Sequence, residues 1–248
     1  MKHLHPRVHL ILMLFIMLSV INLHAQEADL SNMRIELSQA IARKTGISSG
    51  PLFSAVQIVP RHDFLSEDRK GTAYEDRTIP LGRGRFLPSP SDIILMLDFC
   101  SITPDENILI LGDSIGYTVG LLQNLSRNIT VVEMNPEELD SIREYFNREI
   151  EINLPSGPVS ENKSIEVLSI EEIYNLYDKN PFDLIIIQGS LNEIPQLFFG
   201  ILNSSGSIIT SLTGESGFSI LFKYEKNGSG GRILTGKEVY FPFIAKWP

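Results

Sequence analysis

The sequence predicts a doubly wound α/β domain whose sheet is mostly parallel and carries antiparallel edge strands at its C-terminus. Three observations predict it. From Asn107 to Ser211, short runs that are apolar along their length alternate with helical patterns, the mark of parallel strands covered on both faces. A glycine-bearing turn, Gly112-Asp113-Ser114-Ile115-Gly116, follows the first of these runs and opens a helix. The chain then closes on two strand-like runs around Asn227-Gly228-Ser229-Gly230-Gly231, which reads as a hairpin. A length of 248 residues suits one such domain behind a short leader.

Residues 1–25 form that leader. Lys2 and Arg7 precede an almost wholly apolar run from Val8 to Leu23, and Ala25 offers a small exit residue before the polar Gln26-Glu27-Ala28-Asp29. A charged start, apolar middle and small-residue exit mark a signal peptide, with cleavage expected after Ala25 and the domain occupying residues 26–248. The run is short for a membrane span, so membrane attachment is expected only through an uncleaved leader.

Met33 to Thr45 has helical apolar spacing ended by Gly46, and Leu52 to Val59 makes a second short helix stopped by Pro60. Residues 60–92, rich in proline, glycine and charge, read as a long structured loop of the kind that binds ligands. Beyond it come a helix over Asp92 to Phe99, a strand over Asn107 to Leu111, and a helix over Tyr117 to Leu125. A strand over Ile129 to Val132 ends at Glu133, and a helix follows over Pro136 to Ile150. Further strands are expected over Ser164 to Leu168, Phe182 to Ile187 and Gly206 to Ser211, with the terminal pair over Phe218 to Tyr224 and Lys237 to Ile244.

Composition narrows the function. Apolar residues make up 43% and the net charge is −9, falling to −11 once the leader's two cations are removed, so nucleic acid is disfavoured as a partner. Cys100 is the only cysteine, which excludes an intramolecular disulfide and any cysteine-based metal site; it reads as a small buried hydrophobe. His62 is the one histidine outside the leader, so no metal centre is expected.

The chemistry points to the first strand's turn. Ligands of open α/β sheets bind beyond the carboxyl ends of the strands, where glycines permit close backbone approach. Glu133 lies about twenty residues on, at the end of the next strand, where a carboxylate accepts hydrogen bonds from a ribose diol. By themselves these residues also suit an ordinary strand-to-helix turn and a solvated strand end.

Five ordered segments supply more. Val59-Pro60-Arg61-His62-Asp63-Phe64, Ala73-Tyr74-Glu75-Asp76-Arg77-Thr78-Ile79-Pro80-Leu81-Gly82, Ile108 to Tyr117, Pro181-Phe182-Asp183 with Glu193-Ile194-Pro195, and Val239 to Phe243 resemble motifs of the protein-L-isoaspartate O-methyltransferase family. The resemblance covers nearly all of residues 33–245. It implies a Rossmann-like methyltransferase fold, S-adenosylmethionine as cofactor, and methylation of the free carboxylate of isoaspartyl residues in damaged proteins. On this resemblance Gly112, Asp113, Ser114, Gly116, Tyr117, Glu133 and Met134 are the cofactor-binding candidates. Tyr74 and Asp76 are the substrate-binding candidates, with anchoring of their own loop as the alternative, and the protein is expected to act as a monomer.

Departures from the pattern fall at the site. Ile110 stands where the family has an acid, and Ser114 where it has the middle glycine of the turn. Ser169-Ile170-Glu171 stands about where the family has Gly-Asp-Gly. The family's serine near the acceptor carboxylate aligns with Pro88, which leaves Ser89, one residue late and between two prolines, as the catalytic candidate; a rigid turn is its other reading. Lost contacts predict cofactor binding roughly ten- to a thousandfold weaker than in an intact family member. The alternative is an exported, catalytically impaired protein of this fold that recognises peptides or proteins. The leader places the protein in the periplasm or cell exterior, whereas a translation start at Met33 would leave it in the cytoplasm.

Overall fold

The computed structural model describes residues 6–113, 115–133, 139–140, 142–144, 164–179, 181–213, 219–228 and 230–241, without the side chains of 6–12, 14, 15, 22–28 and 164. The first helix, α1 (Pro6–Thr45), runs through both the leader and the helix expected from Met33. No proline or glycine lies between Val8 and Thr45, so nothing in the local sequence breaks it. Its last turns bury Leu37 and Ile41, and it stops where Gly46 takes φ 83 and returns its N–H to Ala42 O at 2.9 Å. Toward the other end, Met13, Ile16, Met17, Leu18, Val20 and Ile21 are all exposed. Among the described residues, no helix is long and apolar enough to cross a membrane.

The expected loop over residues 60–92 has more structure than its composition suggests. After α2 (Pro51–Ile58) come two 3₁₀ turns, Arg61–Phe64 and Lys70–Thr72. A small antiparallel hairpin follows, β1 (Ile79–Gly82) with β2 (Arg85–Leu87). Its strands are too short to register as a period-two pattern. The next helix, α3 (Pro90–Cys100), starts two residues earlier than expected because Ser89 caps it and Pro90 fits its first position. Cys100 is buried at its end, with Sγ directed at Met96 O at 3.2 Å, and burial pushes its thiol far above the usual range. It is a core side chain.

The strand and helix alternation is present in the order expected: β3 (Asn107–Leu111), α4 (Tyr117–Leu122), β4 (Asn128–Glu133), β5 (Ser164–Ser169), α5 (Ile170–Tyr174), β6 (Phe182–Leu191), α6 (Gln196–Ile201) and β7 (Leu202–Thr213). β8 (Ser219–Asn227) and β9 (Gly230–Val239) complete a seven-stranded sheet of order β5-β4-β3-β6-β7-β8-β9. Strands β3 to β7 pair in parallel, and β8 and β9 pair antiparallel. β3 is central. Its Ile108 and Ile110 join the core beneath α1 to α4, while Leu109 and Leu111 join the opposite core with α5 and α6, and all four are fully buried. Two covered faces are why the strand reads as an unbroken apolar run, and each such side chain contributes about 1.5–3 kcal/mol.

The terminal hairpin differs in register from the sequence expectation, which began its second strand at Lys237. β9 begins at Gly230, paired with Asn227. Glycines at its start read as loop, yet Gly231 lies against the Tyr224 ring, where a Cβ would collide with it. The expected continuation to Ile244 passes outside the described residues beyond 241. So does most of the helix expected over Pro136 to Ile150, of which residues 139–140 and 142–144 are helical.

Candidate active site at the carboxyl edge of the sheet

From β3 the chain winds outward through β4 to β5, then returns to the other side of β3 with β6 and moves on to β7. The carboxyl ends of β3 and β6 therefore flank the point where strand order reverses, the place where open α/β sheets bind ligands. Gly112 follows β3 there with φ +86, and a Cβ built on it would lie 2.6 Å from Gln188 O. Only glycine lets the two backbones come this close. Gln188 reaches this position through a bulge: Ile186 pairs with Ile209 but Ser190 pairs with Ser211, so β6 carries two extra residues between them. The Thr210 and Ser211 hydroxyls close the bulge by donating to Gly189 O at 3.2 and 3.1 Å.

Asp113 and Gln188 are 5% and 4% exposed, and each is held by one arm. Asp113 Oδ2 accepts the Val119 N–H at 2.8 Å. Gln188 Oε1 accepts the Thr118 hydroxyl. The other arm of each, Asp113 Oδ1 and Gln188 Nε2, is buried with no hydrogen-bond partner. Burial pushes the Asp113 carboxyl up to about 7 despite the Val119 amide hydrogen bond that pulls it down, and the Glu133 charge adds to the rise. Glu133 ends β4, the strand beside β3, and is half-buried. Gly116 caps α4 at φ 84, and Tyr117, its first residue, is fully buried with its hydroxyl pushed up to about 12 by that burial. A positive-φ glycine turn at the strand-order reversal and a carboxylate at the end of the neighbouring strand fit S-adenosylmethionine, the cofactor that the resemblance implies.

Ile110 does not offer the missing acid, being fully buried in the core beneath α1 to α4. The Ser169-Ile170-Glu171 segment has a local duty instead. Ser169 caps α5 and forms a reciprocal capping box with Glu172. Ser114 and Met134 lie outside the described residues.

Arg61 joins this edge to the loop that carries the substrate candidates. It is fully buried, donates to Pro88 O at 3.0 Å and Glu75 O at 3.5 Å, and places its guanidinium 5.3 Å from the centre of the Tyr117 ring. Burial lowers its pKa to about 10, still far above neutrality, so the cation persists. Asp76 accepts from Ser91 N at 2.9 Å, Ser91 Oγ at 2.7 Å and Lys44 Nζ at 3.0 Å. Burial opposes its charge, but these bonds outweigh that and hold its carboxyl below the ordinary value. Tyr74 OH lies 2.6 Å from His62 Nδ1. These bonds tie the loop to α1 and α3 through Asp76 and to its own first turn through Tyr74.

Ser89, the catalytic candidate from sequence, is 5% exposed and occupied by the helix it caps. Its Oγ accepts from Asp92 N at 3.2 Å and donates to Asp92 Oδ2 at 2.6 Å. A serine before Pro90 at a helix start is the preferred N-cap arrangement. Gln188 is the site residue that sequence reasoning missed. Its signal was a polar side chain ending the apolar run from Phe182 to Ile187.

Residues 34–245 match the family model described as Protein-L-isoaspartate(D-aspartate) O-methyltransferase. A protein-L-isoaspartate O-methyltransferase from Methanoculleus marisnigri is 25% identical over 214 residues, covering 86% of this chain and 92% of its own. One from Pectobacterium atrosepticum is 26% identical over 220 residues, covering 87% and 97%. Among solved structures, a protein-L-isoaspartate O-methyltransferase superposes with TM-score 0.68 at 18% identity, over 86% of this chain and 66% of that one. A Plasmodium falciparum protein of the same description, in complex with S-adenosyl-L-homocysteine, superposes with TM-score 0.65 at 17% identity, over 84% and 96%.

Proposed function

Because the chain belongs to the protein-L-isoaspartate O-methyltransferase family, we propose that it transfers the methyl group of S-adenosylmethionine to the free carboxylate of L-isoaspartyl residues in damaged proteins. The family match over residues 34–245 carries this reading, and the glycine turn at the strand-order reversal, with Glu133 at the end of the neighbouring strand, supports it. The cofactor supplies an activated methyl group on a sulfonium. Such a transfer needs in-line placement and exclusion of water rather than a strong base, so the absence of a free serine or histidine base at Ser89 is no obstacle. In this reading Gly112 lets β3 and β6 approach closely at the site and Glu133 accepts from the cofactor's ribose diol. Arg61, Asp76 and Ser91 hold the acceptor loop against the first turns of α3 and α4.

The test is methyl incorporation into an isoaspartyl peptide and into its aspartyl isomer. The expected result is slow incorporation into the first only. Incorporation into neither peptide would overturn the proposal.

The same reading takes residues 1–25 as a leader removed on export to the periplasm or cell exterior, with residues 26–248 as the working domain. Lys2, Arg7, the apolar Val8 to Leu23 run and Ala25 support it. Sequencing the N-terminus of protein recovered from the native cell is expected to begin at Gln26; a start at Met1 or Met33 contradicts it.

A further inference from the structure

Acceptor binding, in the methyltransferase reading on which this inference rests, depends on the shape of the loop that carries Tyr74 and Asp76. We infer that neutral His62, by accepting the Tyr74 hydroxyl, is a positioning residue for that loop, so that engagement of the acceptor peptide weakens reversibly in mild acid. The fold places His62 beside Arg61, which grips the same segment through its backbone.

Two adjacent residues of the first 3₁₀ turn hold one stretch of the loop. Arg61 donates to Glu75 O at 3.5 Å, and Tyr74 OH lies 2.6 Å from His62 Nδ1. The turn itself is fixed to α4, since the Arg61 guanidinium lies over the Tyr117 ring and Phe64 meets that ring edge-on at 5.6 Å. Proton positions follow from the partners. His62 Nε2 lies 3.1 Å from Asp63 Oδ1, and a carboxylate only accepts, so the neutral ring carries its proton on Nε2 and leaves Nδ1 bare. Tyr74 then donates to Nδ1, and its hydroxyl keeps its proton because burial holds it above the usual range despite the nearby Arg34 charge. A second proton on the ring would sit on Nδ1 and meet the Tyr74 hydroxyl donor to donor.

The groups facing His62 are Tyr74, Asp63 on its own turn, Lys70 on the second 3₁₀ turn and Arg34 on α1. Burial disfavours the imidazolium most, Asp63 favours it, and Arg34 and Lys70 oppose it, so His62 titrates below its ordinary 6.5. The neutral ring thus adds to the folded state above about pH 6.5, and that contribution drains away as pH falls, because the unfolded chain takes up the proton first. Arg61 keeps its charge throughout, with a pKa of about 10. In mild acid the loop therefore retains its arginine tie and loses its histidine tie.

The test is steady-state methylation of an isoaspartyl peptide by the full chain at pH 5.5 and pH 7.5, for the native sequence and for His62→Asn. The asparagine oxygen accepts the Tyr74 hydroxyl as Nδ1 does, but it does not titrate. At pH 7.5 the two proteins are expected to share a KM for the peptide within about twofold, whereas at pH 5.5 the native KM is about three- to tenfold the higher, with kcat the same within about twofold. His62→Ala, which has no acceptor, is expected to raise KM by a similar factor at both pH values. A second readout needs no methylation. In proton NMR the His62 ring signal, identified by its loss in His62→Asn, titrates below 6.5, and its midpoint rises in Tyr74→Phe. Thermal melts check that each variant is folded. Matching dependence of KM on pH in the native chain and His62→Asn, or a His62 midpoint that Tyr74→Phe leaves unmoved, overturns the inference while leaving the methyltransferase reading intact. If the NMR result holds but no protein methylates the peptide at either pH, the methyltransferase reading falls and takes the acceptor role of His62 with it.

Discussion

Gly112→Ala is expected to destabilise the protein by about 3–5 kcal/mol, whereas Gly228→Ala costs only about 1 kcal/mol. Both glycines have positive φ, +86 and +58, so both substitutions carry the strain of a left-handed L-residue. They differ in what the new methyl meets. At Gly228, in the turn between β8 and β9, nothing lies within 4 Å. At Gly112 the methyl would sit 2.6 Å from Gln188 O and 3.1 Å from Gln188 C, and both are backbone atoms. Backbone in a bulge pinned by Thr210 and Ser211 cannot rotate away as a side-chain tip would. Relief requires β6 to shift against β3, which disturbs the pairing of Leu111 with Ile187 between two fully buried cores. Urea unfolding of the two variants measures the difference. Equal costs would show that strain alone matters and that the close approach of β3 to β6 contributes nothing.

That approach also shows why some of this molecule was legible in its sequence and some was not. The central strands announced themselves because Ile108 to Leu111 are buried on both faces, which removes polar residues from the run altogether. Glu133 and the Gly112 turn were legible because they sit at fixed intervals from such a run. The β1–β2 hairpin was not, because strands of four and three residues carry too few positions for alternation to register. The capping duty of Ser89 was not legible because it depends on where the helix begins, and Pro90 fixes that one residue later. The signal at Ser169 was available: serine followed three residues on by glutamate is the capping-box pattern, and it outweighed alignment with a cofactor motif. The pairing of Gln188 with Gly112 was beyond reach, because it depends on a two-residue bulge and on a contact across 76 positions of chain, neither of which leaves a periodic trace.

Asp113→Asn is expected to raise stability at neutral pH by about 2–4 kcal/mol, a gain of roughly 5–15 °C in Tm. Burial raises the carboxyl from its ordinary acidic value to about 7, which corresponds to a few kcal/mol between its protonation states. The sign follows from comparing the two states. Below about pH 4 the carboxyl is protonated whether the chain is folded or unfolded, so aspartate and asparagine differ little. As pH rises through 4 the unfolded chain ionises freely while the folded one keeps its proton, and the native state loses ground steadily. Above about pH 7 the folded carboxyl ionises as well and the loss levels off. Asparagine carries no such proton, yet its side-chain oxygen can still accept the Val119 N–H, so the variant keeps the turn and escapes the charge. Melting curves at pH 4 and pH 8 are the measurement. A Tm gap between variant and parent that is small at pH 4 and large at pH 8 is the expected pattern; a gap independent of pH would mean that the carboxyl is ionised throughout.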